Sequence, residues 1–148
     1  MSDFDILFQV RSEKIDGLIE RLSKLKPAVF KAIVDNTAEH VAVAMEQHAV
    51  IYPEARPESD YRRTGRLGAS VTSEVRREGE YTYAVAGTNV LYAIWVVGPA
   101  NPPEGEKGQA WMHKGVWVPL DESVNAHLAE YEDIIISDLE AAVKAFLP

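Results

Sequence analysis

Apolar and polar residues change their spacing several times along this chain, and each change marks an expected element. Phe4, Ile6, Phe8 and Val10 alternate with Asp5, Leu7 and Gln9, a period of two that predicts a short opening strand. The spacing then turns helical. Ser12, with an acid one residue later, can start a helix whose stripe is Ile15, Leu18, Ile19, Leu22 and Leu25. Pro27 interrupts that stripe and suits the first position of a second helix. Phe30, Ile33, Val34, Thr37, Val41, Ala44, Met45 and His48 carry the period on to about Val50. Segment 12–50 therefore reads as one bent helix or two helices meeting at Pro27, with one apolar side.

Residues 52–63 lose all periodicity and place Pro53, Pro57 and Ser59 among charges, the signature of an exposed loop. A short turn follows at Thr64-Gly65-Arg66-Leu67-Gly68-Ala69-Ser70, with Thr64 available as its cap. From Val71 the period is two again, and Glu78-Gly79-Glu80 punctuates it, which predicts a β-hairpin over 71–87. Leu91 to Val97 is apolar throughout and reads as a buried strand or a short helix. Gly98 to Gly108 holds three prolines and three glycines, a long loop for a small domain, and 99–110 is expected to protrude as an arm. Trp111 to Leu120 reads as a second hairpin around His113-Lys114-Gly115. Val124, Leu128, Tyr131, Ile135, Leu139, Ala142 and Phe146 then mark one helix over 121–146, about 39 Å long. The order implies an α+β fold across 1–148 as one domain. A small antiparallel sheet of about four strands packs against a long N-terminal helical segment and a long C-terminal helix.

Composition narrows the chemistry. The 148 residues carry a net charge of −8 and no cysteine, so disulfides, thiolate zinc sites, iron–sulfur clusters and thiol nucleophiles are excluded. No apolar run approaches the ~20 residues of a membrane span, and no secretory leader pattern opens the chain. The expectation is an acidic domain used inside a cell and not associated with membrane.

Catalytic, cofactor and metal patterns are not evident. His40 and His48 lie two helical turns apart on one expected helix, too far to share an ion, while His113 and His127 could reach them only through tertiary folding. His48, on the apolar stripe, reads as a partly buried core residue. No Gly-x-Ser-x-Gly elbow occurs, and Gly65-x-x-Gly68 lacks the Lys-Ser/Thr of a phosphate loop. A hydrolase with His113 as base is the weakest reading. Arg56, Arg62, Arg63 and Arg66 against Glu58 and Asp60 make a local charge of +2, and this loop is the basis for an alternative, nucleic-acid-binding reading. Against it stands residue range 119–148, whose seven acids and one lysine give −6. Trp95, Trp111 and Trp117 flank the Pro/Gly-rich loop, and Trp111 with Met112 sits where large side chains dock on another subunit.

The order Thr64-Gly65-x-Leu67-x-x-Ser70, a hairpin, Gly87-Thr88, then Tyr92-Ala93-x-x-Val96-x-Gly98 resembles the tail-completion, or neck, proteins of long-tailed bacteriophages. Trp117-Val118-Pro119-Leu120 and the final helix match that family's ending in kind. The family has an acid before the glycine of the Tyr-Ala segment, where this chain has Val97, and it lacks the Pro/Gly-rich insertion. The resemblance implies a structural virion protein without enzymatic activity or cofactor, present in the bacterial host cytoplasm before assembly. It implies an oligomeric ring, commonly of six, as a head–tail connector between the DNA-filled head and the tail. Its partners would be copies of itself, the head-closure or connector protein and tail proteins, with DNA passing through but not specifically bound. Ring closure requires one patch to meet a different patch on the neighbour. Trp111, Met112, Arg62 and Arg63 are the expected interface residues, and the acidic final segment is an expected DNA-repelling wall or a contact for a basic partner.

Overall fold

The computed structural model describes residues 10, 12–54 and 65–147. The expected opening strand, apart from Val10, and most of the arginine-rich loop lie outside the described residues.

Two helices, not one bent helix, form the N-terminal segment: α1 (Glu13–Leu22) and α2 (Pro27–His48). Ser12 starts α1 as a side-chain cap, its Oγ accepting from the Ile15 N–H at 3.2 Å. Pro27 occupies the first turn of α2, where its missing N–H costs nothing. Downstream, Gly65 takes φ +72, a conformation that favours glycine, and leads into the single turn α3 (Arg66–Ala69). The hairpin forms where its alternation predicts, as β1 (Thr72–Glu78) and β2 (Tyr81–Gly87), with Thr72 opposite Gly87 and Glu78 opposite Tyr81. Gly79, at φ +62, makes the two-residue turn fit type II′.

The expectation of about four strands is overturned: β1 and β2 are the only strands among the described residues. Residues 91–97 resolve as a helix, α4 (Ala93–Val97), and the expected second hairpin at 111–120 is a 3-10 turn over Trp111–His113 followed by irregular chain. The reason lies in where the backbone polar groups find partners. The Ala110 N–H donates to the Trp95 carbonyl at 2.7 Å. The Gln109 amide donates to the carbonyls of both Val96 (2.8 Å) and Trp117 (2.9 Å). One side chain and a helix end thus satisfy groups that a strand ladder would otherwise take up.

The final helix is also broken, into α5 (Leu120–Asn125) and α6 (Leu128–Phe146). In a continuous helix the His127 amide would donate to Ser123. Here the imidazole Nδ1 takes that carbonyl at 2.8 Å, and the His127 N–H donates to Val124 at 3.0 Å instead. His127 leaves the helical region, with φ −111 and ψ 11, and the chain turns a corner.

Apolar burial falls into three clusters. Ile15, Leu18, Leu22, Leu139 and Val143 join α1 to α6. Val41, Ala44, Val124 and Tyr131 join α2 to the α5–α6 corner. Ala49, Leu67, Val71, Val90, Ala93, Val97 and Leu120 join the end of α2 to the segments around α3, α4 and α5. The hairpin packs on α2, and Arg77 on β1 pairs with Asp35 on α2.

Leu139 is 1% exposed at the α1–α6 contact. Leu139→Ala is expected to cost about 2–5 kcal/mol in chemical denaturation. Leu128→Ala, at an only partly buried position, is expected to cost less.

Candidate functional site

The motif residues that carry the family resemblance converge, but on a core. Thr64 lies outside the described residues. Leu67 and Ala93 are buried in the same cluster. The Ser70 hydroxyl donates to the Leu67 carbonyl at 2.6 Å and meets the Thr88 hydroxyl at 2.6 Å. Thr88 in turn accepts from the Val90 N–H at 3.1 Å. This chain of hydroxyls ties the turn before the hairpin to the segment after it. Gly98 ends α4, and a Cβ there would collide with the Ile94 carbonyl oxygen. Among the described motif residues, Gly65 and Tyr92, the latter at 40% exposure, face outward. The motif therefore builds a support.

What it supports is an apolar surface. Leu91, Tyr92 and Trp95 on and before α4, and Trp111, Met112 and Val116 on and after the 3-10 turn, are all exposed. The Ala110–Trp95 hydrogen bond holds the two segments side by side. Trp111 is 81% exposed and Met112 57%, a large unsatisfied area for side chains of this type.

The loop before them is anchored at its base. The Gln109 N–H donates to the Pro99 carbonyl at 2.9 Å, and a Cβ at Gly108 would press on Pro102 and the Pro99 carbonyl. Gln109 itself is 6% exposed. Sequence reasoning passed over this residue, because one glutamine in a polar loop carries no signal of burial. Arg56, Arg62 and Arg63 lie outside the described residues, and Arg66 opens α3, so the structure brings together no arginine cluster among the described residues.

Two further features concern α2 and its neighbours. An apolar groove of about 300 Å³ runs between α2, β2 and α6, lined by Val34, Val41, Met45, Tyr83, Leu128 and Ile135 among others, with no Asp, Glu, Lys, Arg or His among the described residues of its wall. At the end of α2, the His48 ring stacks on His127 with centroids 3.9 Å apart and planes within 6°. Glu130 lies 3.8 Å from His48 Nε2, and the Tyr131 hydroxyl lies 3.4 Å from His48 Nδ1. Burial, and then the neighbouring Glu130 charge, push the Tyr131 phenol above its ordinary pKa, so it stays a neutral hydroxyl. His48 is partly buried, as its place on the apolar stripe suggested. Its partner His127 could not be foreseen across 79 positions. The other histidines stand apart: His40 Nδ1 pairs with Asp138 at 2.5 Å, and His113 ends the 3-10 turn. No helix among the described residues is long and apolar enough to cross a membrane.

Comparison with protein-family models, curated proteins and solved structures finds no match to this chain.

Gln109→Leu removes the donor shared by two carbonyls, a loss of about 1–3 kcal/mol for each buried group that finds no other donor. The variant is expected to melt earlier than wild type. Hydrogen exchange is expected to accelerate first in 95–117, with α1 and α6 unchanged.

Proposed function

We propose that this chain is a structural subunit of the phage head–tail junction, closing with copies of itself into a ring that completes or connects the tail. The observation that carries the reading is the exposed apolar surface at Trp111 and Met112, held beside Trp95 by the Ala110–Trp95 backbone hydrogen bond. Aromatic and methionine side chains bury large areas at protein–protein contacts and are costly to leave in water. A heterologous ring contact places such a patch against a different surface of the next subunit. The motif residues fit this role as scaffolding, since they fasten α3, the hairpin and α4 into the platform from which the surface projects.

The reading also accounts for the acids of the final segment with a change of emphasis. Glu140 bonds Lys14 at 2.7 Å, and Asp138 pairs with His40. Lys14 holds the Glu140 carboxyl below its ordinary range, first through the hydrogen bond and then through its charge. Part of the acidity thus fastens α6 to α1 and α2, which leaves less of it for a wall around passing DNA.

Concentrated protein is expected to give closed rings in negative-stain electron microscopy and a multi-subunit mass in light scattering. Trp111→Asp is expected to weaken association by about 2 kcal/mol or more per contact, roughly thirtyfold, with its circular dichroism unchanged. A wild-type chain that stays monomeric at every concentration, alone and with phage head and tail particles, would count against the ring.

A further inference from the structure

We propose that His48, His127 and Glu130 form a binding site for a divalent transition-metal ion of the zinc type, which fastens the end of α2 to the α5–α6 corner. One nitrogen from each ring and a Glu130 carboxylate oxygen already lie within 4.8 Å of one another. Two imidazoles and a carboxylate are a donor set that suits zinc, cobalt or nickel rather than calcium or magnesium. They supply three ligands and leave a fourth position to water.

The surroundings prepare both rings. The His127 Nδ1–H donates to the Ser123 carbonyl at 2.8 Å, which places the lone pair on Nε2 and fixes the ring. A backbone carbonyl on the far nitrogen is a common partner of metal-ligating histidine. Ser123 is itself held: 1% exposed, its hydroxyl reaches the carbonyls of Ala49 (3.1 Å) and Leu120 (3.0 Å). The ligands' two supporting elements are thereby locked together before any ion arrives. For His48, Nδ1 lies 3.4 Å from the Tyr131 hydroxyl, and a proton held there leaves Nε2, the nitrogen that faces Glu130, free to bind.

Some movement is required. Tetrahedral zinc with bonds of about 2.0–2.1 Å needs ligand atoms closer than 4.8 Å, and cofacial rings aim their lone pairs in parallel. His48 is the ring that can turn, because its polar contacts at 3.4 and 3.8 Å are weak. Glu130, with 53% of its side chain exposed, is free to swing inward.

The test is titration of the intact chain with Co²⁺ and Zn²⁺ after treatment with chelator. The expected result is saturation at one ion per chain, a visible Co²⁺ spectrum of tetrahedral intensity that Zn²⁺ abolishes, and a raised melting temperature. Glu130→Gln, at an exposed position, and His127→Gln are each expected to weaken Zn²⁺ binding about tenfold or more, while His113→Gln leaves it unchanged. Absence of saturable one-to-one binding by the wild-type chain would overturn the proposal whatever the variants do. So would a Glu130→Gln chain that binds as tightly as wild type, or loss of binding on His113→Gln.

Discussion

Burial against α2 is the constraint on which the other elements depend. Phe30 and Ile33 near its start pack on the α1–α6 cluster, Val41 and Ala44 meet Val124 and Tyr131, and Ala49 just past its end enters the third cluster. The hairpin covers a further side of it. A two-stranded sheet is marginal on its own, so β1 and β2 owe their persistence to this helix and to the Arg77–Asp35 pair. A surface helix needs one apolar stripe; α2 presents apolar side chains in several directions because it has neighbours in several directions.

The corner between α5 and α6 shows a single side chain redirecting a backbone. Had Ser123 kept its carbonyl for the His127 amide, the final helix could have run straight. The imidazole bonds that carbonyl, and the backbone loses little, because the His127 N–H donates to Val124. The bend then lets Tyr131 sink to 2% exposure against α2 and sets His127 against His48. Buried hydroxyl contacts from Ser123 to Ala49 and Leu120 hold the same place from beneath. Packing, capping and the histidine pair are therefore one local solution.

Function, in the reading developed above, divides the molecule between support and display. Leu67, Ser70, Thr88, Ala93 and Gly98 are consumed by internal contacts, whereas Trp111, Met112 and Leu91 are left outside. Gln109 links the two roles, since its amide satisfies the end of α4 and the segment after the turn while leaving the tryptophan between them in solvent. An apolar patch on a mobile tether would lose entropy on docking; one fixed on bonded backbone loses less.

Elements governed by neighbours in sequence were legible in the chain alone. Ser12 as a cap, Pro27 as a helix start and the alternation across Gly79 all act over one to four residues, and all appear as read. The α+β class followed from them. The missing strands fall where a long-range partner replaced a local one. The apolar run 91–97 was equally compatible with strand and helix until Trp95 and Val96 found Ala110 and Gln109 across the loop. Residues 111–120 had the look of strands but no edge to pair with, and the 121–146 stripe concealed the His127 bend because hydrophobic spacing does not record which donor takes a carbonyl. The His48–His127–Glu130 cluster was invisible too: two of its members are 79 residues apart, and folding alone brings their ligand atoms within 4.8 Å of one another.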